Sequence, residues 1–292
     1  MEWMTCIKSA VAYMEEHLTE IRSPEEVAAH VHVSSLYLQR GFQVMTGYTL
    51  GEYMRNRKLY LAALDLKNTG KSVLEIALDY GYDTPAGFDK AFTRFHGSTP
   101  KEARGSSKIR TFLPLTIQIQ VTGGENMVFR IEEKSAFQIV GFRREFNSET
   151  SYEMIPKFWD EIIEKYASHL MKGEAPVGET EQYVADHRIG EFGVCLEGAK
   201  AGFFDYMIAG YDRGDAVPEE MSKETVPAGT WAVFDCTMKT LQDTNTRIYK
   251  EWLPGNSGYE LSGCYDVEWY SPEGMPGPDQ KCEIWIPVVP KK

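Results

Sequence analysis

A stretch near the start of this chain is written twice, and a repeat at fixed spacing constrains a fold more tightly than any single motif. Glu26, Val27 and Ala28 recur as Glu75, Ile76 and Ala77 at an offset of 49 residues. Leu38, Arg40, Phe42 and Gly47 recur as Phe88, Lys90, Phe92 and Gly97 at an offset of 50, which Thr49 and Glu52 keep with Thr99 and Glu102. The one-residue slip falls in a turn. There the second copy has Gly81 and the first His32, both residue types that tolerate positive φ. Each copy predicts a short apolar helix, a tight turn and a second helix. That is the helix-turn-helix, whose second helix enters the DNA major groove.

Leu50 to Lys67, between the copies, predicts one helix about 27 Å long at ~1.5 Å per residue. This is close to the roughly 34 Å between successive major-groove faces. One polypeptide can then hold two reading helices a helical turn apart without dimerising. Ahead of the repeat, Met4, Ile7, Val11, Met14 and Leu18 predict a supporting amphipathic helix over Met4 to Glu20. Ser23-Pro24 offers a cap and a first-turn proline for the next helix. Glu15-Glu16 reads as a solvated helix face.

Leu38-Gln39-Arg40-Gly41-Phe42, Thr46-Gly47, Glu52-Tyr53, Ile76-Ala77, Gly81-Tyr82, Phe88, Ala91-Phe92, Gly97 and Pro100 resemble the pattern of the AraC/XylS family of bacterial transcription regulators. The resemblance spans Met1 to Arg104. It implies promoter double-stranded DNA as the partner, with contact to RNA polymerase as a further expectation.

The net charge of −12 is unusual for a DNA binder. Residues 1–107 hold 12 Lys+Arg and 13 Asp+Glu, net −1, so the remaining −11 lies in the second part. DNA affinity must therefore come from local clusters. Arg40, Arg55, Arg57, Lys58, Lys90, Arg94, Lys101 and Arg104 are candidates for phosphate contact. No apolar run reaches the roughly twenty residues of a membrane span, and early acidic residues argue against a signal peptide. Cys6, Cys195, Cys236, Cys264 and Cys282 have no zinc spacing and read as reduced thiols, which points to the cytoplasm. His30-Val31-His32 lacks a third ligand, so no metal and no cofactor is expected.

Gly105-Ser106-Ser107 reads as a joint, and Leu115 to Thr122 alternates like a strand until Gly123-Gly124. Beyond it, strands are predicted at Val128 to Ile131, Gln138 to Phe146, Glu191 to Leu196, Gly229 to Cys236, Cys264 to Tyr270 and Cys282 to Val289. Helices are predicted at Met154 to Leu170 and Leu241 to Trp252. This is a β-α-β-β arrangement used twice, an α+β antiparallel sheet with helices on one face. Pro227 to Phe234, Glu251-Trp252-Leu253-Pro254, Ser257 to Leu261 and Glu283-Ile284-Trp285-Ile286-Pro287 resemble the GyrI-like effector-binding domain, also found in Rob-type regulators. The expected division is a helical DNA-binding domain over 1–107, a linker and strand over 108–126, and an effector-binding domain over 127–292.

In the first reading helix, Leu38 and Phe42 must face the core, which leaves Ser35, Tyr37, Gln39, Arg40 and Gln43 outward. Arg suits guanine and Gln suits adenine, each about 1–3 kcal/mol of discrimination when bidentate. Gln39 and Arg40 also occupy positions that the AraC/XylS resemblance implies for base reading. The second reading helix opens on Thr84-Pro85-Ala86-Gly87 without a long donor. Lys90 and Arg94 there, with Lys58, are expected on phosphate, and Asp83 is expected to cap the helix.

In the second part, Glu283 and Trp285 alternate onto one strand face. A carboxylate in an aromatic pocket suits a hydrophobic cation, and Glu283 matches the ligand-facing glutamate of the GyrI-like resemblance. Trp231, Phe234 and Trp159 are further candidates for the pocket, and Glu268 beside Trp269 is a second-choice carboxylate. The chain is thus expected to be a transcription regulator, not an enzyme, with a small lipophilic or cationic effector. The rival readings are hydrolysis of a strained-ring ligand with Glu283 as base, or sequestration of a protein partner.

Overall fold

Helices fill the first third of the chain and a single sheet the remainder. The structure is a computed structural model and describes residues 3–105, 108–117, 127–200, 202–256, 258–273 and 277–291. The helices are α1 (Trp3–Glu16), α2 (Pro24–His30), α3 (Ser35–Thr46), α4 (Leu50–Asn68), α5 (Val73–Asp79), α6 (Pro85–His96) and α7 (Pro100–Gly105). The repeat is kept in the backbone of its turns. His32 and Gly81 have φ of 55° and 78° in the two turns, and Gly47 and Gly97 end the reading helices at 78° and 76°.

Caps set the starts. Ser34 accepts from the Tyr37 N–H, and Thr49 and Ser72 form reciprocal boxes with Glu52 and Glu75; each such cap stabilises by about 1 kcal/mol. The cap of α6 is Thr84, accepting from Gly87 N–H, with Pro85 in the first turn. The cap expected of Asp83 is thus supplied one residue later, by a hydroxyl, and Asp83 is exposed. Ser23 precedes Pro24 as foreseen but makes no side-chain cap bond.

Glu15 is not a solvated residue. Its Oε1 accepts from the Tyr53 hydroxyl at 2.6 Å, and Arg57 pairs with it through Nε and Nη2, each at 2.8 Å. Arg57 also donates to the Phe112 carbonyl, so it ties α1, α4 and the segment 108–117 together instead of reaching phosphate. Phe112, Leu115 and Ile117 pack on the helical core, with no strand in 108–117; the rest of the strand expected to Thr122, and Gly123-Gly124, lie outside the described residues. Burial pushes the Glu15 carboxyl up, but the Arg57 and Tyr53 bonds outweigh it and hold it below the usual range. Such a group adds stability above its unfolded pKa that is lost as pH falls through its folded value. Arg57→Ala should therefore cost roughly 3 kcal/mol at neutral pH and flatten the acid limb of the stability profile, both read by urea denaturation.

The sheet runs β1 (Phe129–Lys134), β6 (Gly229–Thr237), β9 (Lys281–Pro290), β8 (Asp266–Tyr270), β3 (Phe192–Glu197), β4 (Phe203–Tyr211), β2 (Phe137–Asn147) and β5 (Ser222–Val226) in spatial order, all antiparallel, with β7 (Tyr259–Leu261) also on β9. Two crossings carry helices: α8 (Ser151–Tyr166) with α9 (Gly178–Asp186) in the first, and α10 (Leu241–Arg247), a π-helical turn Ile248–Trp252 and α11 (Leu253–Gly255) in the second. The twice-used β-α-β-β pattern is present. Strands β4, β5 and β7, and helix α9, escaped the sequence reading.

The sheet curls strongly. Phe137 on β2 comes within 6.4 Å of Trp285 on β9, although three strands separate them along the sheet. Its inner face holds Ile139, Phe192, Val194, Met207, Trp231 and Trp285. The outer face is covered by helices in two places. Phe142, Phe146 and Ile208 pack with Phe158 and Ile162 of α8. Further along, Phe234, Ile284 and Ile286 join Ile248, Trp252 and also Trp3, Leu38, Phe42 and Leu50 in one continuous core. The first helix-turn-helix thus shares its core with the sheet, whereas the second has its own, built on Leu59, Leu66, Ile76, Phe88 and Phe92.

Candidate functional site

Between α8, the outer face of β4 and β8, and the first reading helix α3 lies a cavity of about 1000 Å³. Its lining is predominantly apolar: Leu36, Ile155, Ile162, Ile163, Leu170, Val184, Phe204 and Ile208. Its polar groups come from several elements, among them Arg40 of α3, Asp160 of α8, Arg188 and Glu191 ahead of β3, and Glu268 and Tyr270 of β8. Strand alternation puts Asp266, Glu268 and Tyr270 on the outer face and Val267 and Trp269 on the inner one.

Glu268 lines the cavity, and its Oε2 accepts from the hydroxyls of Tyr270 at 2.8 Å and Tyr206 at 3.2 Å. Burial, and then the Glu268 charge, raise both phenols well above their usual pKa, so they stay neutral donors. Both bonds fall on Oε2, which leaves Oε1 for a ligand. Trp159 completes an aromatic corner: its Nε1 donates to the Tyr206 hydroxyl at 3.1 Å, and its ring stands edge-on to Tyr270 at 5.3 Å. A carboxylate framed by three aromatic rings in an apolar cavity matches a hydrophobic cation in charge and in surface.

Of the expected ligand residues, the structure brings Trp159 and the second-choice carboxylate Glu268 to this cavity. Glu283 and Trp285 do share a strand face, but it is the inner one. The ladder pairs Glu268 with Ile284 and Trp269 with Glu283, so the two glutamates project to opposite sides. On that side Glu283 accepts from Trp285 Nε1 at 2.6 Å and pairs with Arg130, and Lys134 lies over the Trp285 ring at 4.0 Å. Trp231 is sealed in the inner core and Phe234 in the core shared with the helices. Glu268, second to Glu283 in the sequence reading, is the cavity's acid: Asp266-Val267-Glu268-Trp269-Tyr270 alternates polar and apolar residues.

The expected DNA-contacting residues divide in two. Lys90 and Arg94 on α6 are exposed, and Lys58 is half-buried, its pKa lowered by burial. The α3 set is turned toward the sheet. Gln39, Arg40 and Gln43 line the cavity, Ser35 donates to Glu25 at 3.1 Å, and Tyr37 is 1% exposed, its hydroxyl on the Tyr265 carbonyl. Arg40 forms an ion pair with buried Asp266 and points Nη2 at Cys195 Sγ, 3.6 Å away. Among the described residues no cluster has metal-ligand geometry.

Paired helix-turn-helix units joined by α4, followed by a curled sheet with a ligand-sized cavity between its outer face and the helices, define a DNA-binding regulator with an effector-binding domain. The chain belongs to the integron-associated effector binding protein family, whose model matches residues 130–288, and a helix-turn-helix domain model of the AraC type matches residues 27–106. It is similar to the regulatory protein SoxS of Escherichia coli, 36% identical over 104 residues that make up 36% of this chain and 97% of SoxS. It is also similar to the transcriptional regulator Rob of Salmonella typhimurium, 29% identical over 172 residues, 56% of this chain and 58% of Rob, so the match spans little more than half of that relative. A solved protein with tetraphenylphosphonium bound resembles it with a TM-score of 0.43 at 17% identity, over 56% of this chain and 94% of that one. No helix among the described residues is long and apolar enough to cross a membrane.

Proposed function

We propose that this protein is a cytoplasmic regulator of promoters, without enzymatic turnover, whose effector is a small lipophilic cation held by Glu268 in the cavity. The supporting observation is the cavity itself: a mainly apolar space in which the Glu268 carboxylate stands beside Trp159, Tyr206 and Tyr270, while Asp160 is exposed and Glu191 is held by Arg188 and Trp269. Residues 1–107 serve as the DNA-binding part, 108–126 as the connection and 127–292 as the effector part. On DNA, Gln39 and Arg40 would read bases, with Ser35, Tyr37 and Gln43 around them. Lys58, Lys90 and Arg94 would hold phosphates, and RNA polymerase is the further partner.

Selecting bound duplexes from a random pool, with and without tetraphenylphosphonium, tests this reading. Enrichment of one sequence, with the cation changing its yield and being recovered unaltered, is the expected result. No enriched sequence under either condition would overturn it.

A further inference from the structure

Behind the cavity wall, the buried carboxylate of Asp266 already has a cationic partner, and it comes from the DNA-reading helix. Asp266 and Glu268 stand two residues apart on one face of β8, about 6.6 Å along the strand. Arg40 reaches across from α3 to pair with Asp266, lines the same cavity as Glu268 and points Nη2 at Cys195, the ladder neighbour of Asp266 on β3. Asp266 is 1% exposed and, among the described residues, Arg40 is the cation paired with it, so without Arg40 its charge would be buried and unpaired.

We propose that Asp266 and Glu268 together form the effector's cation site, and that Arg40 is its built-in occupant, which a cationic effector displaces. This rests on the cation reading of the cavity and adds its consequence for DNA. A reading helix must present its outer face to the major groove. Here that face is closed off: Leu36 lies in the sheet's core, Tyr37 is bonded to Tyr265, and Arg40 is committed to Asp266. The helix α2 adds a latch, with Glu25 accepting from the Gly202 N–H at 2.8 Å. The first reading head is therefore silent in this state, and only α6 is free.

An incoming cation takes over the carboxylates and returns Arg40 to the solvent side. The Leu36 and Tyr37 contacts still favour closure, so effector and DNA open the molecule together. By linkage each then tightens the binding of the other.

The test uses Asp266→Asn, which removes the charge without changing the shape, and Tyr37→Phe, which loosens closure with little risk to the fold. Two quantities are read: affinity for a duplex selected with wild-type protein in the presence of tetraphenylphosphonium, and the alkylation rate of Cys195, mapped by mass spectrometry. Without effector, Asp266→Asn should bind the duplex at least about tenfold more tightly than wild type, since apparent affinity scales with the competent fraction. Cys195, buried beneath Arg40, should become reactive in the same variant. Tetraphenylphosphonium should reproduce both effects in wild type, and tetraphenylborate, of the same shape and opposite charge, should not.

Folded Asp266→Asn with unchanged Cys195 protection and unchanged DNA affinity would overturn the proposal. So would wild type that engages both half-sites while Cys195 stays protected. If tetraphenylphosphonium fails to bind but Asp266→Asn still opens α3, the cation reading falls and the Arg40 lock stands; the reverse pattern separates them the other way.

Discussion

Glu268→Gln should weaken tetraphenylphosphonium binding by roughly 2 kcal/mol, about thirtyfold in Kd. The glutamine amide keeps an oxygen for the Tyr206 and Tyr270 hydroxyls, so the aromatic corner should survive and the loss should report charge alone. Calorimetry on both proteins measures it. The same change at Glu283 should leave binding nearly untouched, because that carboxylate is held by Arg130 and Trp285 on the opposite face of the sheet. Equal losses at the two positions would mean that the ligand enters the curl of the sheet instead. Trp159→Ala should add a smaller loss, of about 1 kcal/mol, as expected for one aromatic face removed from a cation.

The second large effect concerns the two reading helices. Arg40→Ala should lower discrimination between the selected duplex and one altered at a single base pair by about 1–3 kcal/mol, roughly five- to a hundredfold. Absolute affinity is the wrong quantity here, since the substitution also frees α3 from Asp266 and the two effects oppose each other. The ratio of affinities for right and wrong sequences removes the opening step from the comparison. Lys90→Ala should instead weaken all duplexes alike and reduce the slope of log affinity against log salt by about 0.9, one phosphate contact. Should Lys90→Ala shift base preference as strongly as Arg40→Ala, the division of labour between the copies would be wrong.

Local rules made the helical part readable. Its turn residues, caps and apolar spacing act within a few positions, which is why the sequence alone marks His32 as the counterpart of Gly81. The strands missed, β4 and β5, are fixed by pairing with β2, more than sixty residues earlier in β4's case, and their own sequences carry no clear boundary. The same limit governs the site. Period-two alternation correctly joined Glu283 to Trp285, yet which face of the sheet opens on a cavity depends on register with β8 and on where α8 lies. Likewise the outward face of α3 was legible from Leu38 and Phe42, but that the sheet would cover this face was not. Glu15 looked like any surface acid until α4 brought Arg57 to it.

The shared core has a consequence for how the molecule comes apart. Trp3, Phe42 and Leu50 are packed in one cluster with Ile284 and Ile286, while Phe88 and Phe92 are not part of it. Segments that share apolar contacts lose their protection together. Amide exchange should therefore group the first repeat with a sheet more than two hundred residues away, and leave its sequence twin to open by itself. The two copies are alike in sequence, but cooperativity assigns them to different units.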